Sequence, residues 1–118
     1  MCESHAIIRF FDLVNKRDLK RLEEVLTEGA EFYFPKTRPL QGRNQITRFF
    51  TILFRQYPEL EFRIHRKIFQ GSMAAVHWTN RGVNRRGEIY ENEGATIIEM
   101  EGDKISFISD FFKDTAKF

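Results

Sequence analysis

Apolar positions change period along this chain. Up to about residue 56 they recur every three or four positions, and beyond Pro58 they mostly alternate. Ser4 can cap a first helix, along which Ile7, Phe10, Phe11 and Val14 fall at helical spacing. Lys16-Arg17 interrupts the pattern, and Asp18 offers a second N-cap. Leu19, Leu22, Val25 and Leu26 then predict a short second helix, with Gly29 placed to end it. Residues 30–35 read as a strand stopped by Pro35, and 36–42 as a loop containing Pro39 and Gly42. A third helix is predicted from about Asn44 to Gln56, its apolar face made by Ile46, Phe49, Phe50, Leu53 and Phe54.

Four strands come next, joined by short turns. Residues 60–69 place Phe62, Ile64 and Ile68 on one face and Glu61, Arg63, His65 and Lys67 on the other, with Arg66 falling on the apolar side. Over 73–81, Ala74, Val76 and Trp78 oppose Ala75, His77 and Thr79. Over 88–100, Tyr90, Asn92, Gly94, Thr96, Ile98 and Met100 oppose Glu91, Glu93, Ala95, Ile97 and Glu99. The last strand, from Lys104 to Phe112, puts Ser106, Ile108, Asp110 and Phe112 on one face. Helices succeeded by hairpins define an α+β fold. The sheet is expected to be antiparallel and to curve at Gly94, wrapping three helices of the N-terminal half around a conical pocket. The whole of 1–118 is expected to be a single domain.

Charge narrows the partners. Nineteen basic and 17 acidic side chains give a net charge of +2, a mixed surface and not a polyanion footprint. The basic run from Arg81 to Arg86 is a hairpin tip, ordinarily solvated, so no nucleic-acid role is expected. No apolar run approaches membrane-spanning length. One cysteine, Cys2, cannot form an internal disulfide, and the first fifteen residues do not resemble a leader peptide. A soluble, cytoplasmic protein is the expectation. Three scattered histidines show no ligand spacing, so neither a metal nor a cofactor is expected.

Several stretches together resemble the SnoaL-like branch of the nuclear-transport-factor-like superfamily, which also holds ketosteroid isomerases and limonene epoxide hydrolases. They are Phe10-Phe11-Asp12-Leu13-Val14-Asn15-Lys16-Arg17-Asp18, Leu40-Gln41-Gly42-Arg43 and Val76-His77-Trp78. The Arg86-Gly87-Glu88 turn and the ending Gly102-Asp103-Lys104-Ile105 with Asp110-Phe111-Phe112-Lys113-Asp114 complete the set. The resemblance implies a cone-shaped α+β barrel, a pocket between helices and sheet, and a homodimer. The isomerase roles of helix-one tyrosine, strand-one base and deep acid fall on Phe10, Phe34 and Thr96, which cannot perform them. Asp110 matches the acid that SnoaL-type cyclases and epoxide hydrolases carry on the last strand. The hydrolases' second aspartate has no counterpart near Val76-His77-Trp78-Thr79. Single-acid isomerase or cyclase chemistry through Asp110 is the activity the resemblance leaves.

Each candidate has a plainer alternative. Asp110 is either a proton carrier, its pKa raised by desolvation, or a structural acid paired with Arg66 or a backbone donor. Arg66 either meets a ligand or covers apolar surface with its stem. Phe10, Tyr33, Phe34, Phe50, Trp78 and Phe112, with Ile108, are pocket wall or core. As a wall they suit a small apolar or aromatic ligand, with Asn92, Thr96 and Tyr90 as orienting polar groups. The competing reading is a non-catalytic binding or dimerisation module. Its dimer would use the convex face of Ala75, His77, Glu91, Glu93, Ala95, Ile97 and Glu99.

Overall fold

A computed structural model describes residues 2–114, with side chains from Ala6 onward. The order is α1 (Cys2–Lys16), α2 (Leu19–Glu24), β1 (Leu26–Tyr33), β2 (Leu40–Gln41) and α3 (Arg43–Gln56). The hairpin half is β3 (Glu61–Gln70), β4 (Met73–Val83), β5 (Ile89–Glu101) and β6 (Lys104–Phe112). One six-stranded sheet runs β2-β1-β6-β5-β4-β3. Every joint is antiparallel except β1 with β6, which is parallel, so the sheet is mixed and not antiparallel throughout. The exception comes from connectivity, because the chain leaves β1 through β2, α3 and the three strands β3, β4 and β5 before β6 returns beside it.

The helices form where the 3.6-residue stripe is apolar. Phe10, Phe11, Leu13 and Val14 of α1 and Ile46, Phe50 and Phe54 of α3 are buried. They pack on a sheet face made by Val76, Trp78, Thr96, Ile98, Ile105 and Ile108, which are all 1 % exposed or less. The opposite, convex face carries no helix among the described residues and leaves Ile68 and Phe111 exposed. Asp18 does cap α2, accepting the Arg21 amide at 3.3 Å. Ser4 is not at the start of α1, which already runs from Cys2. Gly29 does not end α2. The helix stops at Glu24, and Gly29 lies within β1. Leu26 fits both periods, and pairing with Ile105 of β6 decides for strand.

One side chain locks the two halves together. The Asn15 amide donates to the Phe62 carbonyl at 2.9 Å and accepts the Phe62 N–H at 2.8 Å. It thereby completes the edge of β3 as a neighbouring strand would. Asn15→Ala leaves two part-buried backbone groups unpaired, and a loss of about 2 kcal/mol is expected in urea denaturation. A change within error would show that water replaces the amide there.

Candidate functional site

The closing strand sets the geometry. In β6, Ile108, Asp110 and Phe112 stand opposite Ile98, Thr96 and Gly94 of β5 and share their inward face. Ser106 does not join them. The ladder steps from Glu99–Phe107 to Met100–Ile105, so Ser106 is the extra residue of a bulge and donates to the Glu99 carbonyl at 3.3 Å. Ile105 takes the inward place and is fully buried.

Asp110 is half-buried, and its carboxyl faces a void walled by rings and by little else. The void before its carboxyl is bounded by Phe10, Phe11 and Val14 of α1 and by Phe50 and Leu53 of α3. Phe32 of β1, Phe34 just beyond it, Phe62 of β3 and Thr96 of β5 close it. Ring contacts run from Phe10 through Phe11, Phe62, Trp78, Phe112, Phe34, Phe49 and Phe50 back to Phe10, with centroids 4.8 to 6.3 Å apart. The free space is about 20 Å³, enough for one water molecule. The inward-facing phenylalanines therefore supply both a core and a pocket wall.

Polar contacts here are few and directed. The Trp78 indole N–H donates to Thr96 Oγ1 at 2.7 Å, and the Thr96 hydroxyl donates to Asp110 Oδ1 at 2.6 Å. Desolvation pushes the Asp110 carboxyl up to about 7, against the opposing pull of the Thr96 hydroxyl. Asp110 thus sits near the midpoint of its titration at neutral pH and can hold or release a proton.

Two expected wall residues lie on the other face of the sheet. In β3 the pairing jumps from Ile64–Trp78 to Arg66–His77, a bulge at His65 that turns Arg66 outward. Arg66 there contacts His77 Nδ1 at 3.3 Å and cannot pair with Asp110. Tyr33 stands opposite Ser109 and packs on Phe107 of the convex face, 5.4 Å between centroids. Its inward neighbour Phe32, 1 % exposed, fills the wall position expected for Tyr33. Alternation with Phe34 is the signal that marks it. Asn92 points inward but away from Asp110. It donates to Tyr90 Oη at 3.2 Å and to the Asp114 carbonyl at 2.8 Å, tying down the chain after β6. Phe10, Phe34, Phe50, Thr96 and Asp110 do meet around the void, with Trp78 and Phe112 in the adjoining ring contacts. Ile108 is buried one inward position before Asp110.

His65 and His77 lie together on the convex face, ring centroids 5.4 Å apart. His77 and Lys113 hydrogen-bond Glu93 and hold its carboxyl below the ordinary range. Among the described residues no cluster of three or more histidine, cysteine or acidic side chains could hold a metal. Likewise, no helix there is long and apolar enough to cross a membrane.

Helices seated in a curved sheet, with one acid at the floor of an aromatic interior, define a cone-shaped α+β fold of the nuclear-transport-factor-like kind. The SnoaL-like domain family matches residues 7–108, and the chain belongs to it. That match ends two residues before Asp110. An NTF2-like protein of unknown function from Burkholderia pseudomallei superposes with a TM-score of 0.91 at 16% identity, covering 99% of this chain and 94% of that one. TerC, crystallised with polyporic acid, gives a TM-score of 0.90 at 18% identity over 100% of this chain and 95% of its own. A protein provisionally called a SnoaL-like polyketide cyclase, from Jannaschia sp., gives 0.82 at 20% identity over 95% and 85%. Likeness at these identities establishes the fold alone. No curated protein matches the chain in sequence.

Proposed function

We propose that this SnoaL-like protein binds a small apolar or aromatic molecule in its interior and acts on it through Asp110 as a single acid–base, in isomerase or cyclase chemistry. One observation carries the reading: a carboxyl titrating near neutrality stands at the floor of an aromatic-walled void, with no other acid among the residues lining it. The co-crystal of TerC with polyporic acid supports an aromatic occupant for this fold. Ketosteroid isomerisation is not proposed, since Phe10, Phe34 and Thr96 lack a base and a strong oxyanion donor.

A ligand of ordinary size needs several hundred Å³. The void of about 20 Å³ must therefore open, and the half-buried Phe34, Phe49 and Phe112 are the rings able to swing aside. The same small volume favours a second reading, in which the interior is filled by its own rings and the chain is a non-catalytic binding or dimerisation module. Both readings place a cytoplasmic homodimer on the convex face, where Ile68 is 68% and Phe111 59% exposed.

Native mass spectrometry of the purified chain separates them. The proposal expects a dimer carrying a small-molecule adduct that Asp110→Asn loses or ceases to turn over. A bare dimer, with no adduct in either protein, selects the second reading. A bare monomer removes both.

A further inference from the structure

Thr96 donates to one oxygen of Asp110, and these two are the polar side chains that line the void. Trp78 is the single tryptophan of the chain, and its indole N–H can only donate. It donates to Thr96 Oγ1 at 2.7 Å, and the one hydroxyl proton of Thr96 is directed to Asp110 Oδ1 at 2.6 Å. We propose that Trp78 and Thr96 are positioning residues that place the proton of neutral Asp110 on the oxygen facing the void, so that the site takes its ligand by an acceptor oxygen, such as a ketone or quinone carbonyl. This rests on the ligand-binding reading above and deepens it by naming the recognised group.

Three features support the assignment. First, Oδ1 receives the Thr96 proton, which leaves Oδ2 to carry the acid's own. Second, the groups facing Asp110 from α1, α3, β1 and β3 are apolar side chains, so no charge among the described residues competes for its orientation. Its upward shift arises from burial, and the Thr96 hydrogen bond opposes it. Third, Thr96 is the one other polar side chain lining the void, and its proton is already committed to Asp110. The backbone holds the row in place. Thr96 and Asp110 are register partners on adjacent strands, and the edge of the indole lies over Gly94, where no side chain intervenes.

Because the tryptophan is unique, its indole N–H gives one resonance that reports the row directly. In the wild type that resonance is expected to titrate with the same midpoint as the Asp110 carboxyl carbon, monitored by carbon-13 NMR. Thr96→Val, close in shape, is expected to raise the Asp110 midpoint by roughly one pH unit and uncouple the indole from it. Thr96→Ser is expected to restore both. An Asp110 midpoint unmoved by Thr96→Val, or an indole resonance insensitive to Asp110, would overturn the positioning role whether or not any ligand binds.

The ligand arm uses 1-indanone against indane, two bicycles differing by one carbonyl. The ketone is expected to bind roughly tenfold tighter, the worth of one buried hydrogen bond. Equal binding of the two overturns acceptor recognition while leaving the ligand-binding reading intact. Binding of neither counts against that reading, and acceptor recognition falls with it.

Discussion

Asp110→Asn is expected to be more stable than the wild type at mildly alkaline pH and to lose the wild type's decline with rising pH. The sign comes from the two carboxyl values. The folded protein holds the Asp110 proton up to about 7, whereas the unfolded chain releases it near the ordinary 3.8. Below both values the acid is neutral in each state and the fold bears no penalty. Between them the folded state alone is protonated, so each rise of one pH unit removes up to about 1.4 kcal/mol. Above both values the charge is buried in the folded state, and the loss is complete. Its ceiling is on the order of 4 kcal/mol, a large share of the stability of a small domain. Asparagine keeps the shape and lets its carbonyl accept from Thr96, but it never ionises. Urea denaturation of both proteins from about pH 4 to pH 8 tests this, because the other carboxylates contribute equally to both. Parallel profiles would mean that Asp110 titrates like a solvated acid, and acid–base chemistry near neutrality would lose its basis.

That outcome also bears on function. An acid charged at great cost is an acid that a ligand can discharge. Filling the void with an acceptor favours the neutral form, so binding would weaken as pH passes through the folded value. A structural aspartate would instead be held charged by a cation. The one arginine expected to do this, Arg66, is on the far side of the sheet.

Periodicity reads the site well wherever the ladder is unbroken. β4 and β5 pair from Met73–Glu99 to Val83–Ile89 without a slip, and Trp78, Gly94 and Thr96 fall on the inward face that alternation assigns. It fails where one residue is inserted. The bulges at His65 and Ser106 each reverse the phase of the strand on their far side, which turns Arg66 out and Ile105 in. Both strands carry apolar residues in both phases, so counting cannot detect the slip. The start of β1 is ambiguous for a related reason, since Leu26 satisfies helical and strand spacing alike and only its partner Ile105 decides. Adjacent Tyr33 and Phe34 cannot both face inward, and composition does not say which one does. Void volume is beyond the sequence altogether, because it depends on how Phe34, Phe49 and Phe112 turn and not on which rings are present.

Gly94→Ala is expected to be the most damaging small substitution in the sheet. A methyl built there would lie 2.3 Å from the Phe111 carbonyl oxygen and 2.9 Å from Cη2 of Trp78. The first contact is with the backbone of the paired strand β6, which cannot yield without breaking the ladder that carries Asp110. The second is with the edge of a fully buried indole, which has no empty rotamer to enter. Overpacking of a close-packed interior costs typically about 1–3 kcal/mol, and a clash with fixed backbone belongs at or above the top of that range. A loss of about 3 kcal/mol corresponds to a fall in melting temperature of about 12 °C or more. Gly94 does more than bend the strand, since its bare Cα is the floor on which Trp78 lies while reaching Thr96. Displacing the ring must therefore disturb the Asp110 titration as well as the stability. Calorimetry together with the indole resonance reads both effects. A variant that melts like the wild type with an unmoved indole signal would show that the sheet has slack at the point where the site is most tightly built.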